Sequence, residues 1–118
     1  MNRGGAEAEE RAAAFLRGAG YEILERNWSC PMGELDIVAR KDGVVVFAEV
    51  RARSGTAYGL PAETVGAAKR ARIIKAAMAW VKARRPEAEG YRFDFIGIVG
   101  GGEPEHIEDA FSADGFGF

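Results

Sequence analysis

The chain has 118 residues, of which 47% are hydrophobic and 29% charged, with a formal net charge of -2. That balance belongs to an ordinary soluble globular protein with room for one modest core. No apolar run is long enough to cross a membrane as a helix, and the N-terminus MNRGGAEAEE lacks the apolar stretch of a secretory signal. A lone Cys30 allows no internal disulfide, which predicts a cytoplasmic location, and with a lone His106 it leaves no Cys/His zinc site. The expectation is a single domain over residues 1–118, flexible at 1–5 and 112–118.

Taken in chain order, residues 6–17 (AEAEERAAAFLR) read as a helix with Ala12, Phe15, Leu16 and Ala19 on its apolar stripe, ended by Gly18 and Gly20. Residues 21–28 read as an edge strand, and residues 29–33 (SCPMG) as a connection. Two strands follow, GELDIVAR over 33–40 and VVVFAEVRAR over 44–53. Residues 54–61 (SGTAYGLP) form a glycine-containing loop. A long helix runs from Pro61 or Ala62 to Ala83, burying Val65, Ile73, Ala77, Trp80 and Val81, and ends at Arg84-Arg85-Pro86. A strand at 91–99 and a short last strand at 105–111 complete the order. A hairpin followed by a helical crossover implies a mixed sheet covered by helices.

The hairpin carries the chemistry. Asp42-Gly43 is a strong signal for a two-residue turn, in which both residues take positive φ. Lys41 then pairs with Val44, and counting back places Asp36 opposite Glu49 and Glu34 opposite Arg51. Alternation puts Glu34, Asp36, Glu49, Arg51 and Arg53 on one face. Like charges directly opposite destabilise a hairpin, and a divalent cation is the simplest group to offset them. The bland reading is a solvated pair neutralised by Arg51 and Arg53, and a slip of one residue would separate the pair.

Charge is distributed unevenly. Nine of the 16 basic residues lie between Arg51 and Arg85, where Glu63 is the one acid. Arg72, Lys75 and Lys82 make a basic stripe on the long helix. It is either a solvated face or a phosphate-binding face, the latter giving salt-dependent affinity with little base reading. Trp28 and Trp80 read as core, Cys30 as inert, His106 as hydrogen-bonded, and Gly100-Gly101-Gly102 as a loop rather than a nucleotide fingerprint. Tyr58 would line a groove or pack.

The run Gly33-Glu34-Leu35-Asp36-Ile37-Val38-Ala39 with Val46-Phe47-Ala48-Glu49-Val50-Arg51-Ala52-Arg53 resembles the YraN-like family of uncharacterised bacterial proteins. The similarity extends through Tyr58-Gly59-Leu60-Pro61-Ala62-Glu63 and Lys69 to Arg92-Phe93-Asp94 and His106-Ile107-Glu108. It also takes in Glu9, Phe15-Leu16, Gly20-Tyr21 and Asn27-Trp28. That family is similar to the PD-(D/E)xK nuclease superfamily and to archaeal Holliday-junction resolvases. The resemblance implies an α/β fold, an αβββαβ restriction-endonuclease-like three-layer sandwich. It also implies a Mg²⁺- or Mn²⁺-dependent nuclease acting on DNA, including branched or structured DNA, as a homodimer.

On that resemblance Asp36 and Glu49 are metal ligands, with the Val50 carbonyl a third, and Glu9 is an assisting acid. The motif lysine is replaced by Arg51, which stays charged and presents a fixed fork, suited to holding a phosphate and unsuited to general-base work. Lys69 is the candidate substitute ammonium if it points to the site. Glu34 would orient Arg51 or Arg53. Arg53, Lys69, Arg72, Lys75 and Lys82 would contact nucleic acid. The replacement of lysine also opens a second reading, a nucleic-acid-binding module without cleavage, and a third is a protein-interaction domain.

Overall fold

The hairpin turn sets the sheet. In the computed structural model, which describes residues 3–53 and 65–114 without the side chains of residues 3, 4 and 53, Asp42 and Gly43 both have positive φ, 52° and 80°. The strands they join, β2 (Gly33–Lys41) and β3 (Val44–Arg53), pair antiparallel from Lys41↔Val44 to Ile37↔Ala48. This is the register that the Asp-Gly turn requires. The loop residues 54–61, with Tyr58, and Glu63 lie outside the described residues, as do residues 115–118 of the tail.

Five strands form one open mixed sheet in the order β1-β2-β3-β4-β5. β1 (Glu22–Cys30) is the edge strand beside β2, and β5 (Glu105–Phe111) is the other edge, antiparallel to β4 (Gly90–Val99). β3 and β4 run parallel, and the helix between them, α2 (Ala67–Arg84), lies in the crossover. Alternation along β3 assigns its two faces. Val45 and Phe47 join the cluster that includes Ile73, Ile74, Ala77 and Trp80 of α2. Val46 and Ala48 join the cluster of Ala8, Ala12, Ala13 and Leu16 from α1 (Arg3–Gly18). Helix, sheet and helix make three layers.

Four expectations are corrected. α1 starts at Arg3, and Ala19 is exposed, because the helix ends at Gly18 and the chain turns through Gly20 at φ 95°. Ala8 and Ala13 take its place in the stripe. α2 starts at Ala67, because Gly66 is extended (φ -75°, ψ 171°), so Val65 is buried as part of the incoming chain rather than of a helix face. The β1–β2 connection shrinks to Pro31-Met32, since Ser29 and Cys30 pair with Glu34 and Gly33.

One irregularity positions the site. Ile37 and Ala39 pack under α1, while Val38 packs under α2, as alternation demands. Leu35 should join Ile37 but packs in the α2-side core. The regular β2–β3 ladder also stops at Ile37↔Ala48. β2 therefore departs from regular pleating at Asp36, and its start stays paired to β1 alone. Gly33 permits this. A Cβ there would sit 2.8 Å from the Arg72 carbonyl oxygen, so strand and helix backbones meet at contact distance.

Gly33→Ala should therefore force α2 away from the start of β2. The expected loss is about 1–3 kcal/mol, of the order that overpacking costs, read as a lower urea midpoint with an unchanged m-value. A midpoint equal to wild type would show that the two backbones have slack there.

Candidate functional site

Departure from regular pairing leaves the Asp36 side chain to replace a backbone partner. Its Oδ2 accepts a hydrogen bond from the Val50 N–H at 2.9 Å. This fixes the carboxylate against β3 beside Glu49. The two acids are only 8% and 7% exposed, and Glu49, when protonated, donates to Asp36. From the opposite layer, Lys69 reaches Glu49 with Nζ 3.3 Å from Oε2. Burial first, then the hydrogen bond and negative charge of Asp36, push the Glu49 carboxyl up to about 8, and Lys69 only partly offsets them.

Glu9 completes the acidic group from α1. Burial and then the Asp36 charge raise its pKa, while the Asn27 amide and Arg26 pull it back. Asn27 was not singled out from the sequence as a site residue. It lies between the pairs Arg26↔Ile37 and Trp28↔Leu35, across from Asp36, and it has a positive φ of 51° within an edge strand. Asn tolerates that conformation better than most residues. Identity alone was the available signal, because the bond to Glu9 joins α1 to β1.

Glu9, Asp36, Glu49 and Lys69 line a cavity of about 870 Å³. Arg51, Arg72 and Glu34 also line it. Glu34 is exposed and pairs in register with Ser29, and no ion pair joins it to Arg51 among the described residues. The orienting role expected of Glu34 towards Arg51 thus has no ion pair behind it among the described residues, because β2 has left the ladder before Glu34 could face Arg51. Arg53 ends β3, and its side chain lies outside the described residues. Lys75 and Lys82 are exposed on α2 and do not line the cavity.

The donors at the pair are carboxylate oxygens, a set that suits a hard ion such as Mg²⁺ or Mn²⁺. Among the described residues no three His, Cys, Asp or Glu side chains are grouped to hold an ion by themselves. The remaining ligands would have to be water, carbonyl and substrate oxygens. A pair that shares a proton near neutral pH has the complementary need for a cation. On these grounds the residues fit.

A second polar cluster lies under α1. Asp94 is fully buried and takes both arms of Arg92 at 2.8 Å, His106 Nε2 at 2.6 Å and the Asp109 N–H at 3.0 Å. Burial would raise its pKa, but Arg92, His106 and the Asp109 N–H outweigh it and hold the carboxyl low. Arg92 also donates to the Tyr21 hydroxyl at 2.8 Å. The cluster ties β4, β5 and the segment after α1 together, and His106 is hydrogen-bonded as expected. Trp80 is core, with its indole N–H on Glu25.

The comparisons bear on the family of the chain. Residues 8–98 match the model described as "Uncharacterised protein family UPF0102". A UPF0102 protein of Myxococcus xanthus is 43% identical over 112 residues, covering 92% of this chain and 89% of its own. One from Syntrophotalea carbinolica is 44% identical over 111 residues, 92% and 90% covered. One from Nocardia farcinica is 44% identical over 95 residues, 80% and 75% covered. The fold and site define an open mixed α/β sandwich with a carboxylate pair in a recess lined by both acids and bases. The chain belongs to the UPF0102 family, the YraN-like group. No helix among the described residues is long and apolar enough to cross a membrane.

The raised Glu49 pKa fixes the sign of a pH effect. Between about 4.5 and about 8 the folded protein keeps a proton that the unfolded chain has released. Metal-free stability should therefore fall as pH rises through that window. Glu49→Gln should be more stable than wild type near the top of it and indistinguishable near the bottom, measured by urea denaturation in EDTA. Parallel pH profiles for the two proteins would contradict the assignment.

Proposed function

We propose that this protein is a divalent-metal-dependent phosphodiesterase acting on DNA. The observation that carries the reading is the buried Asp36–Glu49 pair with the Lys69 ammonium 3.3 Å from Glu49. Asp36, Glu49 and the Val50 carbonyl would hold the ion, Mg²⁺ or Mn²⁺. Once bound, such an ion polarises a phosphoryl oxygen and lowers the pKa of a coordinated water.

The chain's own residues do the rest. Lys69 supplies the mobile ammonium that Arg51 cannot be, close enough to orient a water or to neutralise charge developing on phosphorus. Arg51 offers a planar fork to a phosphate oxygen pair. Glu9, held by Asn27, lies next to Asp36 and sets its surroundings. Arg72 extends the positive field to the cavity wall, and Lys75 and Lys82 continue it along α2 towards more distant phosphates. Lys69 beside the pair supports cleavage over a binding-only module, the reading that Arg51 had suggested.

Asp36→Asn should abolish Mn²⁺ binding in calorimetry and nicking of plasmid DNA. Lys69→Ala should keep Mn²⁺ binding yet slow nicking by about 10²–10³, the usual cost of losing one charge-stabilising donor. Full nicking activity in Asp36→Asn would end the proposal, and full activity in Lys69→Ala would reassign the ammonium.

A further inference from the structure

The lining of the cavity divides by chemistry. Lys69, Arg51 and Arg72 stand around the carboxylates, while Cys30, Pro31, Met32 and Ile73 present carbon and sulfur. The first three of these apolar residues are consecutive, so their surface is continuous across the β1–β2 turn. Met32 is 46% exposed, the most exposed of the large hydrophobic residues described. It stands on a braced turn, because Gly33 next to it is in contact with the Arg72 backbone. A large side chain held open on a two-residue turn at the rim of a charged cavity contributes little to the core. Its place is explained if it meets a ligand.

The ligand can be read from the pairing of surfaces. Three cations beside an apolar surface match a nucleotide, anionic at phosphate and apolar on its base faces, once a bound divalent ion offsets the carboxylates Glu9, Glu34, Asp36 and Glu49 that share the lining. The volume of about 870 Å³ is more than an ion and a phosphate need, and lies within the range of small-molecule sites. We infer that the site takes a nucleotide whose base has left the helical stack, with phosphate at Lys69, Arg51 and Arg72 and the base against Pro31-Met32. The substrate class that follows is single-stranded or locally unpaired DNA. In continuous duplex each base face is covered by its neighbours and is closed to Met32. Apolar side chains commonly serve at unstacked steps, and a thioether makes favourable contact with aromatic rings. Met32 offers the base a flexible thioether face on the cavity lining.

This inference rests on the phosphodiesterase reading, and the experiment separates the two. Fluorescence anisotropy would compare a short single strand, its blunt duplex and that duplex with an unpaired bulge, at one salt concentration, with Ca²⁺ present. Wild type should favour the single strand and the bulge over blunt duplex by about tenfold. Met32→Ser should lose about 3- to 10-fold of affinity for the two unpaired forms and none for duplex. Exposure of Met32 keeps the variant folded, and an unchanged thermal midpoint checks this. A 2-aminopurine base in the single strand should change its fluorescence on binding wild type and less so with Met32→Ser. Equal affinity for all three DNAs, or equal losses on all three, overturns the unstacked-base site. If plasmid nicking still depends on Asp36 in that case, the phosphodiesterase reading stands. No binding to any of the three overturns both.

Discussion

Two carboxylates held side by side out of water cannot both stay ionised without help, and the rest of this structure is arranged around that constraint. At a separation near 4 Å, like charges repel by about 4 kcal/mol under the screening typical of a protein surface region. Three features offset the repulsion between Asp36 and Glu49. The Val50 N–H donates to Asp36 at 2.9 Å, Lys69 approaches Glu49 from the other layer, and a proton stays on Glu49 well above the usual carboxylate range. Each depends on a different part of the fold. The first needs β2 to leave its ladder at Ile37, the second needs α2 docked against Gly33, and the third needs burial.

Much of this was legible in the sequence because local chemistry determined it. Asp42-Gly43 dictated the turn and the turn dictated the register as far as Ile37↔Ala48, one residue short of Asp36 and Glu49. What escaped depends on contacts between distant segments. The break in alternation at Asp36 arises because Leu35 is drawn into the α2-side core. The direction of Lys69 follows from where α2 begins, and the residue pattern predicts a start at Pro61 or Ala62, ahead of the extended Gly66. Asn27 acts through a bond to a helix and a positive φ that no periodic pattern announces. The failed pairing of Glu34 with Arg51 has the same origin as the Leu35 break, since counting register assumes that both strands stay straight.

The division of labour among the basic residues follows from geometry more than from motif. Arg51 stands where the resemblance leads one to expect a lysine, and it has a fixed, always-charged fork. Lys69 has no such place in the resemblance yet stands beside Glu49. The buried Asp94–Arg92–His106 network, on the other face of the sheet, is fully bonded and serves as framework. It anchors β5 to β4, the strand that runs beside β3 and its Glu49.

The most direct test is the anomalous scattering of crystals soaked in Mn²⁺. The account predicts one strong peak between the Asp36 and Glu49 carboxylates, with Mn–O distances of about 2.1–2.2 Å, close to those of other small hard divalent ions. The Lys69 ammonium should be displaced from Glu49 in the same crystals. Crystals with no peak there, or with Mn²⁺ bound only elsewhere on the surface, would contradict it.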